Sequence, residues 1–143
     1  MTKSPECCLA NDKVYTVAQR MQRENIGALP VVENHETKKL IGIITDRDLA
    51  VRVVGASRDA TNTRVGEVMT ANLVVCHPTD ELDSTVELMA RHQIRRIPVV
   101  DQAGQVVGII AQADVAIRLD NHDQAGQMVG KISQPDLVPA VAN

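Results

Sequence analysis

Ile26-Gly27-Ala28-Leu29-Pro30-Val31-Val32 and Ile94-Arg95-Arg96-Ile97-Pro98-Val99-Val100 are two versions of one phrase, 68 positions apart. The same spacing pairs Met1-Thr2 with Met69-Thr70, Cys8 with Cys76, Asp12 with Asp80 and Met21 with Met89. Beyond the phrase the spacing falls to 66, so that Gly42-Ile43-Ile44 meets Gly108-Ile109-Ile110. The lost pair of residues belongs to Asn34-His35-Glu36-Thr37-Lys38-Lys39, a polar turn in which a change of length is tolerated. A repeat alters the meaning of every residue inside it. The second half of the chain copies the first.

Each copy reads in the order strand, helix, strand, strand, helix. Val14, Val17, Ala18 and Met21 stand at i, i+3, i+4 and i+7, and Leu82, Thr85, Val86 and Met89 do the same, which predicts two amphipathic helices. Asn11-Asp12 and Thr79-Asp80 supply polar starts for them. Short apolar strands follow at Leu29 to Val32 and Ile97 to Val100, then β-branched strands at Leu40 to Ile44 and Val106 to Ile110. Short helices close the units at Arg47 to Val54 and Asp114 to Leu119, and Leu73 to Cys76 forms the leading strand of the second unit, with Cys8 at the matching place in the first. The expected organisation is repeat one at 1–54, a polar linker at 55–64, repeat two at 65–119 and a C-terminal helix and tail at 120–143, with Ala125, Met128, Val129 and Ile132 on the helix face. One unit alone buries little apolar surface, so the two are expected to pack about a pseudo-twofold axis in a mixed α/β fold.

Composition narrows the partners. With 44% hydrophobic and 23% charged residues the chain has the make-up of a folded globular protein, and no stretch approaches the length of a membrane span. The amino terminus carries no basic region followed by an apolar run, so a cytoplasmic location is expected. A net charge of −3 with interspersed signs gives no basic face for nucleic acid. Cys7, Cys8 and Cys76 are odd in number and include a vicinal pair, which suits reduced thiols better than a disulfide framework. With no Phe or Trp and Tyr15 alone, any bound base must rest on aliphatic side chains.

The phrases Ile-Gly-Ala-Leu-Pro-Val-Val, Gly-Ile-Ile-Thr-Asp-Arg-Asp-Leu, Val68-Met69-Thr70, Arg-Arg-Ile-Pro-Val-Val and Gly-Ile-Ile-Ala-Gln-Ala-Asp-Val resemble paired cystathionine-β-synthase (CBS) domains over about residues 1 to 119. The layout is similar to small stand-alone bacterial CBS pairs of the hypoxic-response type. The resemblance implies two β-α-β-β-α repeats forming a Bateman module, often a homodimer. Its clefts would take AMP, ATP, S-adenosylmethionine or NADH as a regulatory ligand and pass occupancy to a partner protein, with no cofactor required.

Thr45-Asp46-Arg47-Asp48 lies where a strand turns into a helix. Free N–H groups at a helix start suit a phosphate, Asp48 can accept from ribose hydroxyls, and the Thr45 hydroxyl can donate to a phosphate oxygen. The family's Thr-x-x-Asp pattern implies the same roles. A second reading stands beside it, because Thr-x-x-Asp is also close to a capping box that serves only its own helix. Repeat two keeps Asp114 but has Ala111 in place of the hydroxyl, so its cleft is expected to be the weaker. Arg95 and Arg96 replace Gly27 and Ala28, and their guanidinium forks suit phosphate, although surface arginines are ordinarily just solvated. The expected site therefore joins Thr45 and Asp48 to Arg95 or Arg96 across the cleft. Cys8, Ala28, Leu29 and Pro30 of repeat one and Cys76, Arg96, Ile97 and Pro98 of repeat two would lie against the base, or else serve as plain core. His35, His77, His92 and His122 lack metal-ligand spacing, and no nucleophile-base pair or Gly-rich phosphate loop can be read, so an enzyme is disfavoured. The competing reading is a dimeric interaction module with an unused cleft.

Overall fold

The computed structural model describes residues 1–118; the expected tail helix at 120–143 lies outside them. In chain order the elements are β1 (Thr2–Lys3), β2 (Cys8–Leu9), α1 (Val14–Glu24), β3 (Ala28–Val32), β4 (Leu40–Thr45), α2 (Asp46–Asp48) running into a π-helical segment (Leu49–Val54), α3 (Val65–Val68), α4 (Leu82–His92), β5 (Arg96–Val100), β6 (Val106–Ala111) and α5 (Gln112–Arg118). The expected repeat is present in both halves. The second helix of repeat one departs from expectation in kind, since its last six residues are π-wound.

Helices α1 and α4 bury the predicted stripes, Val14, Val17 and Met21 in one and Thr85 and Met89 in the other. Both end on a left-handed residue, Asn25 at φ 52° and Gln93 at φ 53°, at matching positions. The polar starts do not cap them. Lys13 and Glu81 hold the cap positions without a side-chain bond. The Asp12 and Asp80 carboxylates instead accept the amides of Leu9 and His77, closing the turn before each helix.

Two three-stranded sheets form, β2-β3-β4 and β1-β6-β5. Strands β3 and β5 pair antiparallel with β4 and β6, and the register shifts at matching points, Val31/Val32 and Val99/Val100. The leading strand expected at Leu73 to Cys76 reduces to one bridge, Cys76 to Val99. Pro78 follows, lacks an N–H for the ladder, and the His77 amide is already taken by Asp80.

The halves are joined reciprocally. Leu40 donates its amide to the Gly104 carbonyl and Val106 to the Lys38 carbonyl, both at 3.0 Å. The start of each repeat also crosses to the other: β1 pairs with β6, and Thr70 bridges Ile43 of β4. Gly42 and Gly108 make this crossing possible. A Cβ on Gly42 would stand 2.6 Å from the Met69 Sδ, and one on Gly108 would stand 2.5 Å from the Met1 Sδ. Each half has its own core, around Leu29, Ile44 and Val17 in one and Met89, Ile97 and Val115 in the other. Cys7, Val32 and Val106 form a third cluster that unites them. The stretch 55–64 packs on the start of α1, with Val14 and Tyr15 donating to the Thr63 and Ala60 carbonyls.

Candidate functional site

Strand β4 ends at Thr45, whose extended backbone makes it the cap residue of α2. Its hydroxyl donates to the Asp48 Oδ2 at 3.0 Å and accepts the Asp48 amide at 3.2 Å, while the Thr45 amide donates to the same Oδ2 at 2.9 Å. This is the capping box, the second of the two readings of Thr-x-x-Asp. Asp48 is 8% exposed. Its Oδ1 faces the Arg52 Nε at 3.8 Å, and Arg52 also donates to the Val68 and Met69 carbonyls. The carboxylate is thus fixed in place, with one oxygen committed to its own helix and the other beside a guanidinium.

Repeat two has a thinner version of this turn. The Ala111 amide donates to the Asp114 Oδ2 at 2.8 Å, and no hydroxyl joins it. Asp114 is half-buried.

Arg95 and Arg96 part company at the start of β5. Arg95 is exposed, and its carbonyl accepts the Gln112 amide at 2.8 Å. Arg96 reaches across to repeat one, with Nη1 3.9 Å from the Asp46 Oδ1. Its guanidinium lies over Gly27, where any Cβ would overlap it. The bare backbone at Gly27 is what admits the arginine between the repeats.

A cavity of about 380 Å³ opens between the halves. One wall is the N-terminal strap, Thr2 with Ser4, Pro5 and Glu6. Another is the end of α1 and start of β3, with Glu24, Ile26, Gly27 and Ala28; repeat two supplies Arg96, Ile109 and Ala111. The volume lies within the usual range for small-molecule sites, and its exposed lining is mostly apolar, with Thr2, Ser4, Glu6, Glu24 and Arg96 as the polar and charged residues. It stands on the Ala111 side, the cleft that the sequence ranks second.

Of the expected residues, Ala28 and Arg96 line this cavity; Thr45, Asp48, Arg95 and Asp114 do not. Cys8, Leu29, Cys76 and Ile97 are at most 1% exposed, and Pro30 and Pro98 are also buried. None of the six lines the cavity: Leu29, Pro30, Ile97 and Pro98 lie on β3 and β5, which are covered on both faces, Cys8 lies on β2 beside β3, and Cys76 bridges Val99 of β5. Burial pushes the Cys8 thiol up to about 12 and raises Cys7 and Cys76 in the same direction. Thr2, Ser4, Pro5, Glu6, Glu24, Ile26 and Ile109 are lining residues outside the site expected from the sequence. The match of Met1-Thr2 to Met69-Thr70 was the available signal that the first residues belong to the repeat. Among the described residues, no three His, Cys, Asp or Glu side chains are grouped to hold a metal, and no helix is long and apolar enough to cross a membrane.

The family model described as CBS domain matches this chain twice, at residues 1–55 and 65–121. The CBS domain-containing protein YhcV of Bacillus subtilis is 42% identical over 82% of this chain and 80% of its own. Hypoxic response protein 1 of Mycobacterium tuberculosis is 29% identical over 85% of this chain and 83% of its own. Among solved structures, the CBS domain pair of protein MJ0100, in complex with 5′-methylthioadenosine and S-adenosyl-L-methionine, is 30% identical with a TM-score of 0.73, covering 82% of this chain and 89% of that one.

Proposed function

The chain belongs to the CBS domain family, and from that premise we propose that it is a regulatory module that holds an adenosine-bearing ligand, such as AMP, ATP or an S-adenosylmethionine-like compound, between its repeats. The observation that carries this reading is the cavity between the halves, walled by Ile26, Ala28 and Ile109 with the Arg96 guanidinium at its edge. Aliphatic walls accept an adenine face without stacking on rings, and a guanidinium suits an anionic group. The solved MJ0100 pair, with its two adenosine-bearing ligands, supports the class of ligand. Thr45, Asp48, Arg95 and Asp114, expected from the sequence at the ribose and phosphate, do not line this cavity and have no contact with the ligand in this reading, in which no bond is made or broken.

The ligand acts by favouring one arrangement of the repeats over another, and the response is passed to a second protein. A homodimer is part of the proposal. Val51 of the π-helical segment and Ile117 of α5 occupy matching places in the two repeats and are 49% and 83% exposed, with Val54 beside them at 76%. Buried, reduced thiols fit a cytoplasmic setting.

Thermal melting in the presence of AMP, ATP, S-adenosylmethionine, 5′-methylthioadenosine or NADH tests the reading. A ligand at 100 times its dissociation constant stabilises by about 2.7 kcal/mol, a shift of several degrees for a chain of this size. A flat response to every compound at millimolar concentration contradicts it.

A further inference from the structure

The two repeats differ in charge at one pair of matching positions that face each other across the interface. Arg96 of β5 corresponds to Ala28 of β3, and Asp46 at the start of α2 corresponds to Gln112 at the start of α5. The local backbone is the same in both: the Asp46 amide donates to the Gly27 carbonyl at 2.9 Å, as the Gln112 amide donates to the Arg95 carbonyl at 2.8 Å. Only one side of the pseudo-twofold thus carries a cation on the strand and an anion on the facing helix. The pair meets over Gly27, with nitrogen and oxygen 3.9 Å apart and side chains 33% and 64% exposed. Such a long, half-wetted ion pair contributes little to stability and is readily exchanged for another anion.

Arg96 lines the cavity, whereas Asp46 does not. The carboxylate therefore holds the guanidinium from outside the space in which a ligand would sit. We infer that Asp46 is a built-in competitor for the ligand's anionic group at Arg96, so that this pair sets the preference between phosphate-bearing and uncharged adenosine compounds. The inference rests on the ligand reading above and adds a selectivity element to it. A phosphate that engages Arg96 draws on the same guanidinium as Asp46, and the share of molecules in which the pair is closed lowers the apparent affinity. An uncharged adenosine compound leaves the pair in place. Engagement of a phosphate would also release the contact between β5 and α2, linking the chemical class of the ligand to the relation of the two repeats.

Calorimetric titration with AMP and with 5′-methylthioadenosine, on wild type, Asp46→Asn, Arg96→Gln and the double variant, tests this. Asparagine at 46 keeps the backbone bond to Gly27 and an oxygen to accept the Arg47 amide, as Asp46 does at 2.9 Å. Asp46→Asn is expected to tighten AMP by about two- to five-fold and leave 5′-methylthioadenosine unchanged. Arg96→Gln should weaken AMP by about ten-fold or more, and the gain from Asp46→Asn should vanish in its presence. If both compounds bind and Asp46→Asn moves neither, or both alike, the competitor role is wrong while the ligand reading stands. If neither compound binds wild type, the ligand reading and the inference fall together.

Discussion

The Thr45 hydroxyl and the Asp48 carboxylate hold each other, 3.0 Å apart, at the turn from β4 into α2. Ala111 and Asp114, the matching pair in repeat two, share only the amide bond at 2.8 Å. One chain thus contains a turn with and without its capping hydroxyl.

That difference predicts opposite outcomes for two exchanges. Thr45→Ala removes an acceptor for the Asp48 amide and a donor to a buried carboxylate, and should cost about 1 kcal/mol. Ala111→Thr completes the second box and should add up to about 1 kcal/mol. Urea midpoints at constant slope measure both. Equal and opposite shifts support the capping assignment, and no change in either removes it.

Gly42 and Gly108 predict a steric test of the crossed connection. Gly42→Ala drives a Cβ against the Met69 Sδ and within 3.1 Å of the Thr70 carbonyl oxygen; Gly108→Ala does the same against Met1 and the Thr2 carbonyl oxygen. Each should cost about 1–3 kcal/mol. Because the sulfur is the movable part, Met69→Ala should return a portion of the loss in Gly42→Ala, as a double-mutant cycle would register. Strict additivity would mean that the two residues do not press on each other.

How much of this was legible beforehand follows from the range of each interaction. Doubling of the sequence made the repeat, the strands and helices α1 and α4 readable, since each residue was seen twice in the same local pattern. The capping of those helices was misread because Asp12 and Asp80 turn back to Leu9 and His77, a choice between two local partners that composition does not decide. The six strand residues expected against the base are core for a related reason. Alternation marks an exposed face only where one face is exposed, and four of five positions in β3 and in β5 are buried. The strap formed by residues 2–6 depends on pairing with β6 about a hundred positions later, which no periodicity reports. Arg96 was singled out by its chemistry, but its partner Asp46 was not, because the contact exists only once the repeats are packed.

The buried thiols predict an alkaline limit. Burial favours the neutral form of Cys8, pushing its pKa up to about 12 from an ordinary value near 9. Its folded pKa is raised, so the contribution is complete below about pH 9 and is lost as the pH climbs toward about 12. Stability of wild type relative to Cys8→Ala should decline across that window and be level below it. Alkylation at pH 8 should leave all three thiols unmodified in the folded protein, since all are buried. Rapid labelling of Cys8 under native conditions would overturn this placement.

If a ligand binds in the space between the repeats, filling that space should exclude it. Ala28 lines the cavity and is only half-buried, so Ala28→Met adds a flexible chain to the void with little strain on β3. Titration of the compound that gives the largest melting shift, against wild type and Ala28→Met of equal thermal stability, is the measurement. Affinity should fall at least ten-fold in the filled variant; unchanged affinity there, with the cavity occupied by the new side chain, would place the ligand elsewhere.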